Sequence, residues 1–343
     1  MPLRQVELVI PEPNDSLLET LTEGEFIHHC WQEALKTPEG GICLNVLLDA
    51  SDTEHFLDRA EKHLGHQESF RLLVHAVEAT LPRIKEPEPP EEEDPADSEP
   101  LEPWEAPLQG ARVSREELYS EITDGIDLNR IYIAMVVLST IVAALGVIRD
   151  NTAVVIGAMV IAPLLAPNIG LALATTLGDI ELGLKSLKTN ISGLLLALTI
   201  SVVLGFFIDV DADVYQIASR TEVALSDIAL ALASGAAGVL AYTVGMSAAV
   251  IGVMVAVALL PPLVTAGLLL GDMQLELALY ASLLLMTNVI CVNLAAVGTF
   301  IFQGVRPRTW YETKTAKQAN RYALTLWVVL VLVLASIIYY VWY

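Results

Sequence analysis

Seven long apolar segments in the last two thirds of the chain restrict its fold more than any other feature. Each segment is close to the roughly 20 residues that an α-helix needs to cross the hydrocarbon core of a bilayer. The predicted fold class is therefore an α-helical polytopic membrane protein of about seven spans. The predicted spans are residues 131–148, 152–177, 188–208, 226–244, 247–270, 275–302 and 322–342.

Net charge separates these spans from the front of the chain. Residues 1–130 contain 10 Lys or Arg and 30 Asp or Glu, a net charge of −20, whereas residues 131–343 contain 9 and 11, a net charge of −2. Because this front part is so acidic, it should repel the phosphate backbone of a nucleic acid. We therefore expect no nucleic acid among the partners. The charge either attracts cations or basic segments, or it only keeps this part soluble and away from anionic lipid.

The first 84 residues have the pattern of a small α/β domain. Helical patterns at 15–22 and 53–64 lie between strand-like stretches at Val6–Ile10, Phe26–Trp31, Ile42–Leu48 and Phe70–Val77. The order β-α-β-β-α-β predicts an N-terminal ferredoxin-like domain at residues 1–84, a fold that is familiar among small regulatory domains.

Two further segments connect this domain to the spans. Residues 86–110 contain ten acidic residues, seven prolines and no basic residue, which predicts a disordered acidic linker at 85–112. Ser114 and Glu117 then have capping-box spacing. They predict the start of an amphipathic helix at 113–130 that lies in the membrane interface.

Basic residues between the spans predict the orientation, because basic loops are retained in the cytoplasm. The loop at 304–321 contains five basic residues, and Lys185 and Lys188 lie at the start of the third span, so both regions are predicted to be cytoplasmic. The acidic loop at 209–225 is then external. The amino terminus lacks the pattern of a cleavable signal sequence. We therefore expect a multi-pass protein of the cell (inner) membrane with a cytoplasmic amino terminus and Tyr343 outside.

The two halves of the membrane region, residues 131–208 and 226–303, share an ordered set of matches. Thr152–Met159 and Ser247–Met254 are identical at five of eight positions, and a proline pair follows each. Gly-Asp and Thr-Asn dipeptides then follow in both halves. Because each half has an odd number of spans, the halves face oppositely. This predicts two inverted three-helix repeats plus a seventh helix at 322–343.

The same motifs resemble a known family. Asn151–Pro163, Ala258–Pro262 and Leu285–Asn288 are similar to the bacterial and archaeal membrane proteins catalogued as domain of unknown function 389. The resemblance covers about 131–305, and the front domain resembles that of the longer members. It implies an integral membrane protein with this span pattern, and it implies no activity.

The proline pairs are the first candidates for a site: Pro163 with Pro167, and Pro261 with Pro262. Proline within a helix lacks an N–H and clashes with the carbonyl group four residues earlier. In inverted repeats such breaks meet near the bilayer midplane, where transporters bind substrate. The alternative is a pair of structural kinks. The carbonyl groups predicted to lose their partners are those of Met159, Pro163, Val257 and Ala258.

Polar side chains within the spans are the second set of candidates: Asn168, Asn190, Thr287, Asn288 and Asn293. Amides in hydrocarbon are costly unless they are paired, so they either line a substrate pathway or bond between helices. No charged residue lies clearly in mid-span. This favours a channel or uniporter over a proton-coupled pump.

Motifs for other chemistry are weak or missing. No hydrolase, kinase or dinucleotide motif is recognised, and we expect neither catalytic residues nor a cofactor. His63 and His66 have the spacing of one helix face and are weak candidates for metal binding.

The leading hypothesis is a channel or transporter for a small solute or ion. In it the front domain regulates or assembles a homo-oligomer in the lipid bilayer. The alternative is a non-transporting membrane scaffold or sensor whose soluble domain is the working end.

Overall fold

The computed structural model describes residues 3–10, 15–23, 26–35, 41–66, 70–77, 113–246, 259–305, 325, 328–336 and 338. The chain divides into two compact units, Met1–Glu117 and Leu118–Tyr343. The predicted linker at 85–112 lies outside the described residues, as does most of the predicted basic loop at 304–321.

The first unit contains one antiparallel sheet with strand order β2-β3-β1-β4. The element order and the strand order are those of the predicted ferredoxin-like arrangement. The elements are β1 (Leu3–Ile10), α1 (Asp15–Thr22), β2 (Ile27–Ala34), β3 (Ile42–Asp49), α2 (Ala50–Leu64) and β4 (Arg71–Val77).

One face of this sheet forms the core of the unit. Alternate residues of the two central strands, among them Leu8 and Val46, are completely buried because successive side chains of a strand point to opposite faces. They pack with Phe56 and Leu64 of α2 in a single apolar cluster. Helix α2 begins at Ala50 rather than at the predicted 53, since β3 passes directly into it.

The capping box predicted at Ser114 is present at the start of α3 (Arg115–Gly125). The backbone N–H of Glu117 donates to Ser114 Oγ, and the N–H of Ser114 donates to Glu117 Oε2, both at 3.3 Å. The other oxygen of this carboxylate accepts from Arg4 Nε of β1 at 2.7 Å. The first turn of α3 is therefore bonded to the sheet of the first unit.

Arg115 lies among three carboxylates in the same unit, with its side chain only 8% exposed. Its guanidinium group is 2.7 Å from Glu116, 3.1 Å from Asp58 and 3.9 Å from Glu54. Burial by itself would lower the pKa of Arg115, but the neighbouring carboxylates, Glu116 first, raise it above its ordinary value. This cation offsets the mutual repulsion of the three acids.

Replacing Arg115 with alanine is expected to destabilise the first unit by roughly 1 to 3 kcal/mol, because the carboxylates lose their shared cation but remain partly in water. Hydrogen exchange of β1 and β3 in the full chain measures this as faster exchange. Lys62→Ala, at an exposed position of α2, is the control and should leave the rates unchanged. Equal rates for the parent and Arg115→Ala would contradict the role of this cluster.

The second unit contains helices and connecting loops but no strand among its described residues. After α3 the helices are α4 (Arg130–Ile148), α5 (Thr152–Ile161), α6 (Leu165–Leu177), α7 (Ile180–Phe207), α8 (Tyr215–Thr221), α9 (Leu225–Thr243), α10 (Leu260–Gly271) and α11 (Leu275–Phe302).

Four of these helices, α4, α7, α9 and α11, are long and apolar enough to cross a membrane, and the bent pair of α5 and α6 makes up to five. Helices α7 and α11 each have 28 residues, a length of about 42 Å that exceeds the hydrocarbon thickness of roughly 30 Å. The predicted fifth span is described only from Leu259, and the predicted seventh only in part, with residues 328–336 helical.

Helix α7 begins eight residues before the predicted third span. Its N-cap Asp179 accepts from the N–H of Leu182 at 3.0 Å, and Lys185 pairs with Asp127 at 2.6 Å. Polar residues in the first turns can reach water, so they do not end the helix. The prediction placed the start too late because it followed hydropathy alone.

Large side chains face outward on α7 and small ones face inward. Ile180, Leu184, Ile191 and Leu195 recur on one face and are 48% to 74% exposed. This distribution suits a helix surrounded by lipid and packed through close helix contacts. The second unit therefore has the character of a membrane protein. The buried face of α7 contains Ser186, Gly193, Ala197, Ser201 and Gly205.

Glycines bring α7 and α10 into backbone contact. A β-carbon added at Gly205 would overlap with the carbonyl oxygen of Leu268, and one added at Gly271 would overlap with that of Val202. Gly235 of α9 also lies close to α11, where an added β-carbon would be 2.7 Å from the carbonyl oxygen of Val292. The helices could not approach so closely with any other residue at these positions.

Candidate functional site

The predicted break in the second span lies between α5 and α6, which meet at a bend of 52°. Helix α5 ends at Ile161, and the N–H of Ala162 makes a last helical bond to Ala158 at 3.1 Å. Pro163 follows in the break and has no N–H for the carbonyl group of Met159. Pro167 lies in the first turn of α6 and is buried.

The second proline pair does not interrupt a helix interior in the described residues. Pro261 and Pro262 lie in the first turn of α10. There an N–H has no intrahelical partner to lose, so proline costs little. Since residues 247–258 lie outside the described residues, the predicted kink at this pair stays a prediction. The carbonyl groups of Val257 and Ala258 lie outside the described residues.

Two of the predicted asparagines meet beside the break. Asn168 is the fourth residue of α6 and Asn293 lies on α11. Asn293 Nδ2 donates to Asn168 Oδ1 at 3.0 Å, and the two side chains are 0% and 1% exposed respectively. A contact between residues 125 positions apart thus joins the broken span to the last long helix.

Hydrogen bonds fix the orientation of both amides. Asn293 Nδ2 also donates to the carbonyl oxygen of Val289 at 2.8 Å, and Asn168 Nδ2 donates to that of Leu164 at 2.9 Å. Rotating Asn293 by 180° would place its oxygen against two acceptors, so the amide orientation follows from the network. Asn293 Oδ1 is then left buried, with no hydrogen-bond partner among the described residues.

The other predicted candidates are buried as well. Thr287 Oγ1 donates to the carbonyl oxygen of Leu283 at 2.9 Å. Asn190 on α7 and Asn288 at the middle of α11 are each 6% exposed, and Met159 is 3% exposed. The structure therefore brings together Asn168 and Asn293, whereas the Thr-Asn dipeptides gave no reason to expect that pair.

Sequence reasoning missed a second polar junction beside α7. Tyr132 on α4 donates its hydroxyl to the carbonyl oxygen of Thr189 at 3.3 Å, and Thr189 Oγ1 donates to that of Ile126 at 2.8 Å. A β-carbon at Gly193 would overlap with the Tyr132 hydroxyl. Nothing in the sequence indicated that Gly193 packs against Tyr132.

Three buried hydroxyls were missed as well. No hydrogen-bond partner among the described residues is found for Thr123 Oγ1 on α3, Ser186 Oγ on α7 or Thr265 Oγ1 on α10. A β-carbon added at Gly170 of α6 would lie 2.6 Å from Ser186 Oγ. Like Asn293 Oδ1, these hydroxyl oxygens are buried polar atoms without a hydrogen-bond partner among the described residues.

Charged groups of the second unit lie at the helix ends. At one end Lys185 pairs with Asp127, while at the other Asp150 Oδ1 accepts from the N–H of Gln216 at 3.2 Å. Gln274 there donates to the carbonyl oxygen of Val210 at 2.8 Å. The buried site between these ends thus consists of neutral groups.

The metal candidates remain isolated in the structure. His63 and His66 are exposed at the end of α2. Across the described parts of the chain, no three His, Cys, Asp or Glu side chains lie close enough to hold a metal ion.

Comparisons with known proteins agree on one family. The family described as "Domain of unknown function (DUF389)" matches residues 159–294, a range that includes Asn168 and Asn293. An uncharacterised protein of Methanocaldococcus jannaschii is 34% identical over 340 residues, covering 99% of this chain and 100% of that protein. No solved structure matches. The chain is therefore a member of the domain of unknown function 389 family.

Proposed function

We propose that this protein is a membrane channel or transporter for a small solute or ion. The contact between Asn168 and Asn293 carries the proposal, because it places an unpartnered amide oxygen beside a broken span. A buried polar atom without a partner is costly in a protein and more so in a membrane, so a ligand is one reason for its presence. Broken spans are where transporters bind their substrates.

Matching helix lengths support the inverted-repeat part of this proposal. Helices α4 and α9 each have 19 residues, and α7 and α11 each have 28. Helices α6 and α10 also have matching contacts, because each packs on both 28-residue helices, α7 and α11. Two halves related by a two-fold axis should exchange contacts in this way.

The proposed orientation places the amino terminus in the cytoplasm and the loop after α7 outside. The chain's own cysteines are first replaced, and a single cysteine is then introduced. The Asp211→Cys variant should react with a membrane-impermeant maleimide added to intact cells, whereas the Glu181→Cys variant should not. Asp211 lies beyond the C-terminal end of α7 and Glu181 lies in the first turn of this helix, and both are exposed. Labelling of the second position alone would reverse the orientation, and equal labelling of both would refute the span between them.

Two threonines with the same local bond provide the functional test. Thr287 and Thr199 each donate to the carbonyl group four residues earlier, at 2.9 and 2.7 Å, but Thr287 is buried and Thr199 is exposed. In proteoliposomes that contain the full chain, Thr287→Val should reduce solute flux several-fold if the buried side of α11 lines the pathway. Thr199→Val should not. Equal flux for both variants would remove α11 from the pathway.

A scaffold or sensor is the second candidate, and the packing of α10 favours it. The residues from Leu260 to Leu269 are all buried, and prolines in a first turn need no ligand to explain them. In that case the front domain is the working part of the protein. If the protein is a scaffold or sensor, no substitution in the buried site should change the flux of any solute.

A further inference from the structure

We infer that the transported species is a monovalent cation and that Asn293 Oδ1 is one of its ligands. The inference rests on the proposed function and specifies the substrate class of the same site. Three features of the described residues carry it: the direction of the amide bonds, the prolines at the helix starts, and the lack of charged ligands.

The amide pair offers an acceptor and few donors. Both hydrogens of Asn293 Nδ2 are directed at protein oxygens, those of Val289 and Asn168, and Asn168 Nδ2 donates to Leu164. The atom left without a partner is the carbonyl oxygen of Asn293. Such an oxygen attracts a cation or a donor group, and it repels an anion.

The prolines in the first turns of α6 and α10 lack the N–H group that could otherwise bind an anion at these helix starts. Free N–H groups and the helix dipole make a helix N-terminus a common anion site. In the first turn of α10, however, Pro261 and Pro262 have no N–H, and the N–H of Leu263 already donates to Leu259 at 3.3 Å. Pro167 removes another donor from the first turn of α6. These two helix starts are therefore poor anion sites.

We infer a single positive charge on the cation because the groups around the buried site are neutral. Within α6 and α10 there is no acidic residue, and the acidic residues of α7 and α11 lie in their first turns. Divalent cations are usually held by carboxylates, whereas neutral oxygens suffice for K⁺-like ions. The net charge of −20 in residues 1–130 also concentrates cations near the protein.

Parallel flux measurements on proteoliposomes with the full chain test the inference. Rb⁺ flux should exceed chloride and Ca²⁺ flux by about tenfold or more, and Asn293→Leu should reduce Rb⁺ flux by about tenfold. Thr199→Val, on the exposed side of α7, is the control and should keep the parent's rates. Faster chloride, Ca²⁺ or mannitol flux would overturn the inference and leave the proposed function standing, whereas no flux of any probe would overturn both.

A binding measurement covers the case in which Asn293→Leu inserts poorly. The melting temperature of the purified chain in detergent should be higher in RbCl than in N-methylglucamine chloride at equal ionic strength, because a ligand of the folded state stabilises it. Asn293→Gln keeps the amide but moves its oxygen, and it should lose this difference. An equal melting temperature of the parent in both salts would count against a cation site.

Discussion

Replacing Gly205 with alanine should lower the free energy of unfolding of the second unit by about 2 to 3 kcal/mol, the upper part of the range for one added methyl group in a packed core. The added carbon would overlap with the backbone carbonyl of Leu268, which cannot rotate away as a side chain can. Helices α7 and α10 would have to separate. We expect a lower melting temperature and a larger fraction of aggregated protein on purification.

Gly298 provides the matched control for this substitution. It lies near the end of the other 28-residue helix, α11, and a β-carbon there would meet no atom within 4 Å. Alanine should be neutral there or stabilising by roughly 0.5 to 1 kcal/mol, because it favours the helix more than glycine does. Equal melting temperatures for Gly205→Ala and Gly298→Ala would mean that α7 and α10 are not in backbone contact.

Substitutions in the amide pair should separate stability from function. Asn168→Leu leaves Asn293 Nδ2 with one acceptor fewer and should cost about 1 to 3 kcal/mol, the penalty for a buried polar group without its partner. The double variant Asn168→Leu/Asn293→Leu removes both polar groups. It should regain most of the lost stability, because two apolar residues of similar shape can replace a bonded pair.

Flux should not return in the double variant, since the proposed ligand oxygen is gone. Melting temperature and flux measured on the parent, both single variants and the double variant form a complete cycle. Recovery of flux together with stability would show that the pair only holds α6 against α11. A double variant less stable than either single one would contradict the bond itself.

Much of the fold could be predicted from local patterns. Val6, Leu8 and Ile10 alternate along β1, and such alternation indicates a strand with one buried face without knowledge of its partners. The capping box at Ser114 and Glu117 needs only four residues. Helices such as α4 and α9 could be predicted from hydropathy, because a helix must be long and apolar to cross a bilayer.

The site could be predicted only in part, because its contacts are not local. The sequence indicated Asn168 and Asn293 as polar residues in apolar spans. The repeat, however, related Asn190 to Asn288, because each follows a threonine at matching positions of the two halves. The bond between Asn168 and Asn293 depends on how α6 crosses α11, which no local pattern records.

The prolines show a second limit. A proline in an apolar run predicts a break, yet whether it ends one helix or begins the next depends on its neighbours. Pro163 lies in a bend of 52° between two helices, whereas Pro261 and Pro262 lie in the first turn of α10. The residues of that first turn are all buried, and this burial depends on tertiary packing that no local pattern records.

The most direct test of the account is the ionic current through the full chain in a planar bilayer, compared with that of Asn168→Leu/Asn293→Leu. Both proteins should have similar melting temperatures, so a difference in current reports on the amide oxygen rather than on folding. We expect a Rb⁺ current in the parent and a current about tenfold smaller in the double variant. Currents of equal size in the two proteins, or none in the parent, would contradict it.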